Sequence, residues 1–177
     1  MKAIVSDATA LIILAKLSRT ELLKSLFTSV IIPHHVKEEI LQKNDYDCSV
    51  WDDSFFIVYS VNDTSLLSSL ELFLDKGESE AITLAKELSL PLLIDEKKGR
   101  KIAQTMHIDV IGLVGIVVAL YRRNIINSKE AITIIDEAQL IGFRLSDKLY
   151  HDFIRLIKEK RALLERVSKA QCSDPIE

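Results

Sequence analysis

Acidic residues recur at one kind of place in this sequence. Asp7 follows the apolar run Ala3-Ile4-Val5 after a single serine, and Asp95 stops the run Leu92-Leu93-Ile94. Two further clusters, Glu38-Glu39 and Glu78-Ser79-Glu80, stand after a second such run and before the third. Carboxylates set side by side repel one another unless a proton or a cation lies between them. Three or four of them converging on one crevice make a hard-oxygen site, suited to Mg²⁺ or Mn²⁺ with water completing the octahedron. The chemistry that follows is metal-assisted hydrolysis of a phosphodiester, in which a cation neutralises the phosphate and lowers the pKa of water. No Ser, Cys or Lys nucleophile motif competes for the role. Each acid also has an ordinary structural use: Asp7 stands where a helix N-cap would be, Asp95 can open a loop, Glu78 and Glu80 suit a helix N-terminus, and Glu38 and Glu39 can be solvated helix residues. It is the set that points to a site.

For the set to converge, the runs that end in acids must be strands of one sheet. Ala3-Ile4-Val5, Ser29-Val30-Ile31-Ile32 (ended by Pro33) and Leu92-Leu93-Ile94 read as short buried strands, and residues 55–58 and 108–111 as two more. Between them, apolar residues recur at helical spacing: Leu11, Ile12, Ala15 and Leu17; residues 22–27; Val36, Ile40 and Leu41; Leu66, Leu67, Leu70, Phe73 and Leu74 up to Lys76-Gly77; then Ala81, Ile82, Ala85 and Leu88 in a helix opening at Glu78. Residues 43–53 are polar and read as a loop. Residues 99–106 and 113–122 continue as helices, and residues 128–138 and 147–167 complete a helix-rich C-terminal half, with fraying expected from Ser168 onward. Strands alternating with helices predict an α/β fold with a mainly parallel central sheet, whose sites lie beyond the carboxyl ends of its strands. No repeat, low-complexity tract or Pro/Gly-rich linker divides the chain, so one domain over residues 1–150 is expected, with 151–177 as a helical extension and tail.

The 177 residues are 48% hydrophobic and 28% charged, enough for a core and a solvated surface, which excludes general disorder. Aromatics at 6% argue against a broad stacking platform for single-stranded nucleic acid, and a net charge of −3 gives no global basic field. An enzyme acting on nucleic acid remains open, because cations supply positive charge locally. Cys48 and Cys172 suit neither a metal cluster nor a disulfide framework, so a reducing cytoplasmic setting is expected. Asp7 interrupts the first apolar stretch and no small-residue cleavage site follows, so an export signal is not expected. The longest uncharged apolar run, residues 110–121, is well short of the about 20 residues of a membrane span.

Four segments in order, Val5-Ser6-Asp7-Ala8-Thr9-Ala10-Leu11-Ile12, Ile32-Pro33-His34-His35-Val36-Lys37-Glu38-Glu39-Ile40, Gly77-Glu78-Ser79-Glu80-Ala81-Ile82 and Leu93-Ile94-Asp95-Glu96, together resemble a PIN domain. The likeness is to a PIN-like branch of predicted nucleic-acid-binding proteins related to the VapC-like toxin ribonucleases, and it covers residues 1–125 and extends toward 150. It implies a three-layer α/β/α fold. It also implies that Asp7 is the first metal-binding aspartate, Thr9 the hydroxyl residue two places on, Glu39 the glutamate after the second strand, and Asp95 the later aspartate. The third acid is Glu78 or Glu80. Glu96, Gly99 and Arg100 extend the pattern, whereas Leu113 stands where this branch usually has threonine, so one hydroxyl near the site is missing. The resemblance further implies a Mg²⁺- or Mn²⁺-dependent endoribonuclease acting on single-stranded RNA to leave a 5′-phosphate, a toxin paired with an antitoxin, and a homodimer. The dimer is also suggested by the close-set apolar Ile132, Ile134, Ile135 and Ala138.

Lys97, Lys98, Arg100 and Lys101 form a basic cluster beside Asp95 that can grip RNA phosphates at the rim, or simply be a solvated helix face. Arg122-Arg123 ends an apolar helix where cations complement the dipole. His34-His35 has no zinc spacing. Trp51 covers a local apolar patch or meets a partner. A haloacid-dehalogenase-type phosphatase would need an aspartate where Thr9 stands, and a response-regulator receiver would need an acidic pair before its aspartate; neither fits. The remaining alternative is a PIN fold that binds nucleic acid or protein without catalysis.

Overall fold

The computed structural model describes residues 2–43 and 45–171, with side chains as far as residue 159. The chain divides into two compact units, Met1–Ile116 and Val117–Glu177. The first unit is built on five strands, β1 (Ile4–Ser6), β2 (Val30–Pro33), β3 (Phe56–Tyr59), β4 (Leu92–Leu93) and β5 (Val110–Ile111). All four pairings are parallel, in the order β3-β2-β1-β4-β5. Helices α1 (Ala8–Lys16), α2 (His34–Gln42), α3 (Thr64–Leu70), α4 (Lys76–Leu88) and α5 (Lys97–Thr105) connect them in a three-layer α/β/α arrangement.

The strand order dictates where a site can form. The chain moves outward from β1 through β2 to β3, then returns to lay β4 on the other side of β1. The crevice between the carboxyl ends of β1 and β4 is therefore the topological switch point. Ser6 is in register with Leu93, so Asp7 and Asp95 both emerge at that edge. The strands are apolar on both faces, as a covered parallel sheet requires. Val5, Ile31, Leu92 and Ile94 pack with Ala81, Ile82 and Ala85 of α4 and Ala103 of α5. Ile4, Val30, Ile32 and Leu93, also fully buried, alternate onto the opposite face.

Local chemistry moves several boundaries. The stripe expected to run up to Gly77 ends as a helix at Leu70, and Lys76 and Gly77 open α4 instead. The reason is Asp75, whose carboxylate accepts the Glu78 N–H at 2.8 Å and caps α4. Residues 22–27 are expected as a helix; the structure has a 3₁₀ turn, Thr20–Ser25, which ends before Leu26 and Phe27. Within the expected loop 43–53 lies a second 3₁₀ turn, Cys48–Asp52. It buries Trp51 edge-on against Phe56, ring centroids 4.9 Å apart, so Trp51 covers a local apolar patch.

The helix α6 (Leu113–Arg122) carries the chain into the second unit, which continues as α7 (Ser128–Leu140) and α8 (Asp147–Gln171). A reciprocal capping box starts α7: Glu130 N–H donates to Asn127 at 3.0 Å and Asn127 N–H to Glu130 at 2.8 Å. Tyr150 donates to Asp136 at 2.8 Å, tying α8 to α7. The helix reaches Gln171, past the expected stop at Val167 and the expected fraying at Ser168; Cys172 lies outside the described residues. Of Ile132, Ile134, Ile135 and Ala138, expected to offer apolar surface to a second copy, the last three are buried within the single chain and Ile132 is half-buried. Among the described residues no helix is long and apolar enough to cross a membrane.

Candidate active site

Asp7 takes the N-cap position of α1 with extended backbone angles, φ −75° and ψ 169°, yet its side chain makes no capping hydrogen bond. The Asp7 N–H donates to Leu93 O at 3.0 Å, which locks the residue to β4. Only 6% of Asp7 is exposed. Burial, first, and then the negative charges of Glu39, Asp75 and Glu78 push its pKa up to about 7, against the opposing pull of the Ala8 N–H. A raise from the ordinary 3.8 to about 7 disfavours the ionised form by on the order of 4 kcal/mol.

The three acids that repel Asp7 come from α2 and the start of α4. Gly77 marks their meeting place: a Cβ there would stand 3.5 Å from Glu39 Oε2 and 3.6 Å from Asp75 Oδ1. Glu39 is half-buried, and burial followed by the Asp75 charge raises its pKa. Glu78 is 5% exposed and has its pKa pushed up to about 7 by burial and by Asp75. Its Oε1 is buried with no hydrogen-bond partner. Asp75 and Glu78 have the N-cap-to-N3 spacing of a capping box, and Asp75 accepts the Glu78 N–H; Glu78 Oε1 does not answer it. Helix formation therefore accounts for Asp75 and leaves that oxygen unused.

Asp95 is held differently. Its two oxygens accept the Leu113 N–H, at 3.0 and 3.2 Å, at the start of α6. Burial pushes its pKa up to about 6, while the Leu113 N–H and the Arg100 charge pull it down. Gly112 makes this approach possible, since a Cβ there would fall 2.5 Å from Asp95 Oδ1 and 2.8 Å from Arg100 Nη1. Gly99 does the same beside Glu78, where a Cβ would stand 2.6 Å from Ile94 Cδ1 and 3.0 Å from Glu78 Oε1.

The other sequence candidates take distinct places. Glu80 accepts the His35 N–H at 3.1 Å, serving the N-terminus of α2, whereas Glu38 is exposed. Thr9 is exposed in the first turn of α1, and Lys97 is exposed in the first turn of α5. Arg100 donates to Ile94 O at 2.8 Å beside Asp95, so its guanidinium is engaged within the edge. Leu113, where a hydroxyl residue was missed, reaches Asp95 through its backbone N–H while its side chain is buried. Sequence reasoning overlooked Asp75; the signal was its position three residues before Glu78 at a helix start.

Among the described residues, no three His, Cys, Asp or Glu side chains are drawn into a geometry that would hold a metal ion. The donor chemistry nonetheless suits a hard cation. Asp7, Glu39 and Glu78 are carboxylates whose negative charge is disfavoured by burial and by neighbouring acids, Asp75 acting on all three, and Glu78 Oε1 lacks a partner.

A parallel α/β sheet with acids gathered at its switch point defines the class, a PIN-like domain. The family model DUF3368, described as a PIN domain, matches residues 3–159, and the chain belongs to that family. PIN domains are generally nucleases that use divalent metals. None of the curated proteins matches the chain. Among solved structures it is similar to a PilT N-terminus domain protein from the hyperthermophilic archaeon Sulfolobus solfataricus P2, at 18% identity over 67% of this chain and 92% of that one, with a TM-score of 0.43.

Proposed function

We propose that this chain is a Mg²⁺- or Mn²⁺-dependent endoribonuclease cutting single-stranded RNA, with Asp7, Glu39 and Glu78 as the principal metal ligands and Asp95 completing the acidic edge. The observation that carries the reading is the partnerless, buried Oε1 of Glu78 beside a buried Asp7 that its neighbours repel. Glu78 is preferred to Glu80 because Glu80 already accepts the His35 N–H. When bound, a divalent cation would supply neutralising charge and a water acidic enough to attack phosphorus near neutral pH. The residues orient: the Leu113 N–H and Arg100 fix the Asp95 carboxylate, and Lys97 offers a phosphate contact at the rim. Thr9, exposed beside Asp7 in sequence, is a further substrate contact in this reading. A 5′-phosphate product, a cognate antitoxin, a cytoplasmic setting and a homodimer belong to the same proposal, supported by the family resemblance.

Cleavage of an unstructured RNA oligonucleotide with Mg²⁺ or Mn²⁺ tests it. Wild type should cut and Asp7→Asn should not, with RNA binding retained. Cleavage by Asp7→Asn at the wild-type rate would show the site to be wrongly assigned. The Asp95 contacts favour a second reading, a non-catalytic binding module, because that carboxylate is already engaged by Leu113 and Arg100. Such a module would cut RNA in neither form with any divalent metal.

A further inference from the structure

The turn between α3 and α4 carries the most exposed apolar pair of the first unit: Leu72 is 77% exposed and Phe73 61%. The turn is not floppy by construction. Phe73 N–H donates to Leu70 O at 2.9 Å, Leu74 is buried in the core, and Lys98 of α5 donates its Nζ to the Phe73 carbonyl. An aromatic ring in water on a pinned backbone is surface waiting for a flat apolar partner.

Its position says what kind. Phe73 lies two residues before Asp75, so their α-carbons are at most about 7 Å apart. Asp75 is one of the acids that repel Asp7 and Glu78, and the Lys98 that holds the Phe73 carbonyl also acts electrostatically on Glu78. Phe73 thus stands, exposed, on the segment that leads directly into the acidic cluster. Lys76 at the start of α4 and Lys97, Lys98 and Lys101 on α5 are exposed, against the exposed acids Glu71, Asp75 and Glu96. An exposed ring among cations, beside a candidate phosphodiester site, matches a base carried on a phosphate backbone. We infer that Phe73 is a stacking residue for one unpaired base of a single-stranded RNA whose neighbouring phosphates are met by Lys97 and Lys98. The low aromatic content excludes a broad platform and leaves room for one ring. This inference rests on the RNA reading above and gives it a specificity: a base must be free of a duplex to stack.

The test is a titration of an oligoadenylate carrying one 2-aminopurine, without metal so that nothing is cut. Wild type should bind and quench the probe. Phe73→Ala should weaken binding on the order of tenfold and lose the quench, while Phe73→Tyr keeps both. Lys97→Gln, which leaves the Lys98 bond to the turn in place, should flatten the salt dependence with the quench retained. Phe73→Ala with wild-type affinity and quench would overturn the inference and make the ring a protein-docking feature; so would an equal loss on a duplex of the same length. Binding in this format does not depend on cleavage. Phe73-dependent binding by a protein that never cuts RNA would sink only the nuclease reading, and Asp7-dependent cleavage without a Phe73 effect would sink only this one.

Discussion

The two halves of the acidic edge each centre on an aspartate that follows a short strand, in opposite surroundings. Around Asp7, burial acts first, the Ala8 N–H opposes it, and the charged neighbours Glu39, Asp75 and Glu78 are all negative and add to the rise. Around Asp95, burial is opposed by a backbone N–H and a guanidinium. Asp95 has a guanidinium beside it, whereas Asp7 itself has only negative neighbours; the cations of its half, Lys43, His35 and Lys98, act on Glu39 and Glu78 instead. A protein tolerates such a strained set only when something else compensates it. In the proposed reading the Asp7 half would hold the cation and the Asp95 half would position it.

Several changes break or sharpen that contrast. The largest effect is expected from Glu78→Gln, which should lower metal-dependent RNA cleavage by about a thousandfold, whereas Glu80→Gln, outside the Asp7 set, should stay within about threefold. Single-turnover cleavage of the two variants side by side checks this; equal losses would erase the distinction between the two glutamates.

Next in size is the pH dependence of stability without metal. Asp7, Glu78 and Asp95 have folded pKa values of about 7, 7 and 6, above their ordinary values of 3.8, 4.5 and 3.8. Between those values the folded state holds protons that the unfolded chain has released, so stability falls as pH rises from about 4 to about 7. The metal-free protein should therefore melt at a higher temperature at pH 5.5 than at pH 8. Asp7→Asn should flatten that slope and stabilise the protein at pH 8 by about 2 kcal/mol. A melting temperature indifferent to pH across this window would contradict the assigned repulsion.

On the Asp95 half, Gly112→Ala should cost about 1–2 kcal/mol and reduce cleavage, because the added methyl forces Asp95 off the Leu113 N–H. Thermal melts and cleavage rates measure both. A smaller loss, on the order of fivefold in cleavage, is expected for Arg100→Gln, which leaves the Asp95–Leu113 bond in place. A loss as large as that of Glu78→Gln would mean that Arg100 touches the substrate.

Much of this was legible in the residues. Short apolar runs announced the five strands and a mainly parallel sheet, and the acids ending two of them announced the edge on which Asp7 and Asp95 stand; the strand order needed the structure. The boundary near Asp75 was missed because Leu70, Phe73 and Leu74 keep helical spacing through a turn, and periodicity cannot see a cap that restarts the helix. The choice between Glu78 and Glu80 was beyond sequence for a similar reason. Two residues apart on a helix, they point in different directions, and only the place of the His35 N–H says which one is occupied. Gly99 was part of the family pattern, but the physical need for glycine there and at Gly112, the closeness of Glu78 and Asp95, was not visible in the sequence.

The central claim is that the Asp7 half awaits a cation. Thermal unfolding at pH 8 with and without Mn²⁺ or Mg²⁺, in wild type and Asp7→Asn, measures it directly, since a ligand that binds only the folded state raises its melting temperature. The account predicts a clear, concentration-dependent rise for wild type that Asp7→Asn largely loses, from a metal-free melting temperature above that of wild type. A wild-type melting temperature unmoved by millimolar metal, or a rise undiminished in Asp7→Asn, would contradict it.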